Sequence, residues 1–266
     1  MAIQFARFIL NYFMANAWCF LQRLAMGKPH INILTRTSNR RDGFEICAMS
    51  VRCQSYENMS HIVCYDNPED LGYIDLHDVQ KVWVDRQWLI DNDKSEDPND
   101  PSFWHSPHNL YCNVLMDHVS DGYIMFLDDD DMLISDGAIE RIVENIVDED
   151  TILIWQMRCL NGNLLPTDGS FLNEELRLGN IGSPCFLFHC KWKDCFRWDA
   201  YKCGDFRFLE KLYGKIPNHR WINEPFVQLN NEGGFGRRMD IESDVVASRK
   251  EYPPSRLQSI CSKSAS

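Results

Sequence analysis

The chain of 266 residues has no surplus of positive charge: 39 acidic side chains stand against 27 lysines and arginines, a formal net charge of −12. A nucleic-acid backbone is bound by basic surface, so no nucleic-acid partner is expected. A single nucleotide held through one metal ion is compatible with that charge. C-x-x-C knuckles are missing as well. The spacings Cys47/Cys53 and Cys185/Cys190/Cys195/Cys203 do not build structural zinc sites. Eleven cysteines, an odd number, cannot close into a complete disulfide framework within the chain. Most of them read as reduced, buried small hydrophobes, which points to a cytoplasmic location.

Long apolar runs are also scarce. Residues 1–26 carry only Arg7 and Arg23 as charges, but just fifteen uncharged residues lie between them, Phe8 to Gln22. A spanning helix needs about 20. No small-residue cleavage pattern follows, so a removable signal peptide is not expected. Three readings of this apolar helix stay open: an interfacial helix on a membrane surface, a helix packed on its own domain, or a weak signal-anchor. Gly27-Lys28-Pro29 ends it.

What the chain does have is Gly122–Met132, where five apolar residues (Tyr123 to Leu127) run straight into four aspartates, Asp128–Asp131. The apolar run reads as a buried strand. Two like charges about 4 Å apart repel by roughly 4 kcal/mol at an effective dielectric of 20. Four carboxylates therefore splay into water, cap the next helix, or gather around a cation. A metal site at the carboxyl end of a central strand accounts for more of the four than a capping turn does. Asp131 is expected to face away and cap the turn that follows.

Around that stretch, strands and helices alternate. Ile31–Leu34 is a strand ending in a polar loop, Thr35–Asn39. A helix follows with Asp42 and Glu45 as a capping box and Phe44, Cys47, Ala48 and Val51 as its buried stripe. His61–Tyr65 is a second strand ending at Asp66, and Lys81–Val84 a third. Asp91–Ser106 reads as a surface loop, Asn109–Val119 as a helix. After the aspartates come a helix from Ser135 and a strand at Thr151–Met157. Such alternation means crossovers and a mostly parallel central sheet flanked by helices, with ligands bound outside the carboxyl ends of the strands. Thr35–Asn39, Asp66 and Asp128–Asp131 all fall at such ends. Farther on lie loop chemistry at Gly179–Pro184, a strand at Cys185–Phe188 and a helix opened by Cys203-Gly204-Asp205, where Asp205 can act as a cap. A last strand spans 219–229, then a basic loop Gly233–Arg238 and a polar tail. Trp192, Trp198 and Tyr201 read either as core or as a platform for a sugar ring.

Together, Ile33–Asn39, Ser50–Tyr56, His61–Asn67, the helix with Asn109 and Asn113 running into Gly122, Phe126–Asp131 and Gly204–Phe208 resemble the inverting family 2 glycosyltransferases of the GT-A fold. Their order and spacing over some 200 residues (about 31–240) carry the likeness. The resemblance implies an α/β, GT-A-type single domain at 30–245, with a nucleotide-sugar half (30–157) and an acceptor half (158–245). The apolar helix at 1–29 precedes it and a tail at 246–266 follows. It implies transfer of a sugar from a nucleotide-sugar, a UDP-sugar above all, to a saccharide or lipid-linked acceptor with inversion. Thr35, Thr37, Asp66, Asn113, Asp128 and Asp129 would bind the nucleotide-sugar, with Asp66 accepting from a uracil N–H. Asp130 would hold Mn²⁺ or Mg²⁺, which suit oxygen-only ligands. Asp205 would be the general base. His189 and His219 are the two candidates for a histidine as third metal ligand, and each reads more readily as a neutral structural side chain. A nucleotidyltransferase is the rival enzyme reading, but Arg36, Arg40 and Arg41 lack the glycine-rich loop expected to cradle a triphosphate. A non-catalytic saccharide-binding module on the same fold is the rival of another class.

Overall fold

The computed structural model describes residues 27–100 and 102–230. One nine-stranded sheet runs through them in the order β3-β2-β1-β4-β8-β6-β9-β5, with β7 paired to β6. Its first half is wholly parallel: β3 (Gln80–Trp83), β2 (Met59–Tyr65), β1 (Ile31–Thr37) and β4 (Tyr123–Phe126). The second half is mixed. There β8 (Phe186–His189) is antiparallel to both β4 and β6 (Thr151–Arg158), β6 is parallel to β9 (Asn218–Leu229), and β5 (Asp131–Leu133) and β7 (Leu164–Leu165) are antiparallel additions. The expected mostly parallel sheet thus describes the half built from crossovers.

Central position explains the composition of β1. Lying between β2 and β4, it is covered on both faces, and only Arg36 at its end is not fully buried. Helix α1 (Arg41–Arg52) buries Phe44, Cys47, Ala48 and Val51, the stripe read from the sequence, and lies against β5. Its capping box does not form. The helix starts two residues earlier, Arg40 is the N-cap without a side-chain bond, and Glu45 pairs with His77 Nε2 at 3.0 Å. Helix α2 (Tyr111–Asp117) packs on β1 and β2, α3 is short (Ala138–Val143), and α4 (Gly204–Lys215) buries Phe208, Leu209 and Leu212. The helix expected from Ser135 begins only at Ala138 because Asp131–Leu133 become strand, paired with Val227–Leu229.

Five cysteines (Cys47, Cys64, Cys112, Cys185 and Cys190) are free and buried, in keeping with their reading as small hydrophobes. Trp198 belongs to the core, stacked on Phe208 at 5.2 Å and edge-on to Phe126 at 4.9 Å. Among the described residues no helix is long and apolar enough to cross a membrane. The expectations of an apolar helix at residues 1–26, a basic loop at Gly233–Arg238 and a polar tail fall outside the described residues.

Gly122 sets the entry to β4. Its φ of +82° is a left-handed conformation, and a Cβ there would meet the His30 carbonyl oxygen at 2.4 Å. Gly122→Ala should therefore lower the unfolding free energy in urea by at least about 2 kcal/mol. Gly72→Ala, with no atom within 4 Å of its new Cβ, should stay neutral or gain slightly. Equal urea midpoints for the two variants would contradict this placement.

Candidate active site

Because β2, β1 and β4 are adjacent and parallel, their carboxyl ends open on one edge of the sheet. The loop after β1 and the aspartate run after β4 meet there. Asp128–Asp131 is a turn closed by the Asp131 N–H on the Asp128 carbonyl at 2.9 Å. Helix α1 presses on it so closely that a Cβ at Gly43 would lie 3.0 Å from the Asp129 carbonyl oxygen.

Two guanidiniums hold the run. Arg40 donates from Nη1 to Asp129 Oδ1 at 2.6 Å and from Nη2 to Asp130 Oδ2 at 2.7 Å. Arg36 donates from Nε to Asp128 Oδ1 at 3.1 Å, and Ser183 Oγ donates to Asp128 Oδ2 at 2.7 Å. Such charge-assisted bonds are roughly twice as strong as neutral ones. Burial pushes the Asp128 carboxyl up, but Arg36, Ser183 and Arg40 outweigh it and hold the group below the usual range. Burial wins at Asp129, which is pushed up to about 7 despite Arg40. Burial, with Asp130 and Asp128 nearby, also pushes Asp131 well above the ordinary carboxylate value. Asp131 does not face away as expected: it is a buried residue of β5, because that strand pairs with β9.

The remaining nucleotide-site expectations divide. Thr35 is 0% exposed; its hydroxyl donates to the Leu127 carbonyl at 2.8 Å and lies 2.9 Å from His61 Nε2. A side chain so enclosed ties β1 to β4 rather than lining a cleft. Thr37 is buried too, 3.0 Å from the Tyr73 hydroxyl. Asn113 turns both ends of its amide onto Trp198, donating to its carbonyl at 2.9 Å and accepting its N–H at 2.8 Å, which braces the segment leading to α4. Asp66 stands at the end of β2, accepting from the Tyr111 hydroxyl at 2.7 Å with Arg86 at 3.8 Å.

Asp205 reaches the same edge from the other half of the chain. Cys203, at φ +60°, is the N-cap of α4, so Asp205 lies in the first turn and is not its cap. Gly204 permits the approach: a Cβ there would sit 2.7 Å from Asn109 Nδ2. Asp205 Oδ1 accepts the Phe206 N–H at 2.8 Å. Burial pushes this carboxyl up, the Phe206 N–H opposes that, and then the fields of Asp128 (raising) and Arg36 (lowering) follow. Asp205 and Asp128 therefore lie within each other's field. Arg36 also donates from Nη1 to Asn109 Oδ1 at 3.1 Å, and Asn109 Nδ2 donates to the Tyr201 carbonyl at 2.7 Å. That relay links Asp128 to the segment ahead of Asp205.

Arg36, Arg40, Asn109 and Ser183 hold the acidic run together, a role that the sequence reading did not assign to them. The signal for the arginines was present: two cations just after a strand whose end must face acids. The histidines considered as metal ligands lie elsewhere. His189 pairs with Tyr123 at the opposite end of β4, and His219 stacks on Tyr213. The described trio with His, Cys and Asp ligand atoms mutually within 4.8 Å (Asp121, His189, Cys190) is at that opposite end as well. At the aspartate run the donors are carboxylate oxygens, and Asp129 Oδ2 is buried with no hydrogen-bond partner among the described residues. Asp128 and Asp130 keep 27% and 11% of their side-chain surface open. A hard divalent cation fits this donor set.

The fold is similar to that of the GT-A-type glycosyltransferases. Residues 1–349 of TarS from S. aureus superpose with a TM-score of 0.57 at 16% identity, over 76% of this chain and 60% of that one. The same protein in complex with UDP-GlcNAc gives 0.56 at 15%, over 88% and 71%. The mannosyltransferase PcManGT from Pyrobaculum calidifontis, in complex with GDP-Man and Mn²⁺, gives 0.53 at 13%, over 85% and 66%. At these identities the likeness is one of fold, and the chain spans 60% of the length of the TarS fragment. No protein-family model and no curated protein matches the sequence.

His61, in contact with the Thr35 hydroxyl, gives a pH test. Burial and then His77 push its imidazole down to about 3, whereas an unfolded histidine titrates near 6.5. The unfolded state thus binds the extra proton between these values, and stability falls as pH drops through that window. Between pH 7 and pH 4.5 the parent should lose about 2–3 kcal/mol more than His61→Gln. Parallel pH–stability curves in urea melts would contradict the assignment.

Proposed function

We propose that this protein is a metal-dependent, inverting glycosyltransferase that moves a sugar from a nucleotide-sugar, a UDP-sugar first of all, to the hydroxyl of a glycan or lipid-linked acceptor. The observation that carries the reading is the meeting of Asp205 with the Asp128–Arg36 pair at the carboxyl edge of the parallel strands. An acid run and a carboxylate from distant parts of the chain lie within each other's field, on a fold similar to that of proteins solved with nucleotide-sugars. The complexes with UDP-GlcNAc and GDP-Man support a nucleotide-sugar donor in general.

In this reading Asp66 accepts from the base N–H at the end of β2, while Thr35, Thr37 and Asn113 fix the walls. Asp130, with Asp128 and Asp129 beside it, would hold Mn²⁺ or Mg²⁺, whose Lewis acidity stabilises the departing diphosphate. Arg36 and Arg40 add positive charge where the phosphates come to rest. Asp205 takes the proton from the acceptor hydroxyl as that oxygen attacks the anomeric carbon. The carbon–oxygen bond to the diphosphate breaks on the opposite face, and the nucleoside diphosphate leaves with the electron pair. A carboxylate raised from its ordinary value is a stronger base than a free one.

Turnover of sugar nucleotides with and without Mn²⁺ tests this. Asp205→Asn should lower kcat by about 10²–10⁴-fold, and Asp130→Asn should abolish stimulation by Mn²⁺. Variants as active as the parent would refute the mechanism. A parent that binds glycans but never releases nucleoside diphosphate would make the protein a saccharide-binding module.

A further inference from the structure

The loop between β3 and α2 forms a cleft of about 410 Å³ with Tyr201, lined by Asp97, Asn99, Asp100, Phe103 and Trp104 among others. That is the size range of small-ligand sites. Trp104 is 59% exposed, although burying an indole is strongly favourable. It is nonetheless not loose. Lys202 Nζ sits 4.0 Å from its ring centre, and Arg207 lies 4.8 Å from the Phe103 ring. Each cation braces one aromatic ring.

The cleft's polar atoms are one-sided. Asp97 Oδ1 accepts the Asn99 N–H, and Asp100 Oδ1 accepts the N–H and hydroxyl of Ser102. Their Oδ2 atoms have no partner among the described residues. Carboxylate acceptors beside a braced aromatic face suit a polyhydroxylated ring, whose hydroxyls donate and whose C–H face packs on the π-system. The same carboxylates repel phosphate or carboxylate groups.

The cleft is also tied to the candidate active site. His105 and Tyr201 form a short antiparallel bridge, with Ser106 N–H on the Ala200 carbonyl and Lys202 N–H on the Trp104 carbonyl. Asn109, bound to Arg36, holds the Tyr201 carbonyl at 2.7 Å. Tyr201 is four residues before Asp205, so their Cα atoms lie within about 14 Å of each other, the reach of a short oligosaccharide.

We propose that this cleft holds the acceptor, and that the acceptor is an uncharged saccharide, with Trp104 and Tyr201 as its stacking surfaces. The inference rests on the transferase reading for the word acceptor, but the saccharide site stands or falls by binding alone. The test uses the full chain and a panel of neutral oligosaccharides, matched with counterparts carrying a phosphate or a uronic acid, in saturation-transfer NMR and in transfer assays. Neutral members should bind, and charged counterparts should bind at least tenfold more weakly. Trp104→Ala should raise acceptor KM tenfold or more and erase saturation transfer, while affinity for UDP with Mn²⁺ stays within twofold. Trp104→Phe, which keeps an aromatic face, should restore most of the loss. Binding of no saccharide, equal binding of charged and neutral members, or an unaltered acceptor KM in Trp104→Ala would overturn the site. Saccharide binding erased by Trp104→Ala, in a protein that releases no nucleoside diphosphate from any donor, would keep the cleft and refute the transferase reading instead.

Discussion

The pairing of Asp128, Asp129 and Asp130 with Arg36 and Arg40 is the constraint on which the rest of the site depends. Four adjacent carboxylates at the end of a buried strand would repel one another strongly in a low-dielectric setting. The guanidiniums come from the end of β1 and the start of α1, so relieving that repulsion also locks helix, central strand and acidic turn together. Removing one partner of such a buried pair leaves an uncompensated charge. Arg36 extends the lock outward through Asn109 to Tyr201, and so to the segment that presents Asp205.

This pairing makes the four acids unequal. Asp129 and Asp131 are the inward members, raised by burial toward their protonated forms. Asp128 and Asp130 keep part of their side-chain surface open. In the proposed mechanism a divalent cation and the donor's diphosphate enter a site already balanced by two arginines. The arginines are then positioned to bind the phosphates, so the same side chains serve the resting protein and the loaded one.

Much of the framework was legible in the sequence because it is local. The stripe Phe44, Cys47, Ala48 and Val51, the apolar run before Asp128 and the short strand before Asp66 each announce their element within a few residues. Adjacency of β2, β1 and β4 then follows from crossover topology. What escaped was set by distant partners. Strand β5 exists because residues 227–229 lie beside it. Thr35 looked like a cleft residue from its place at a strand end, yet the Leu127 carbonyl and His61 enclose it. Asn113 looked like a ligand group, and its two bonds to Trp198, 85 residues away, are invisible to spacing.

We propose that the aspartate run binds a divalent cation jointly with a nucleoside diphosphate. Electron paramagnetic resonance of Mn²⁺ measures this directly, since the signal of the free ion disappears on binding. The account predicts that UDP and Mn²⁺ tighten each other's binding to the protein by the same factor, five-fold or more, as linkage requires. UDP binding that is unchanged by Mn²⁺, with no Mn²⁺ taken up in its presence, would contradict it.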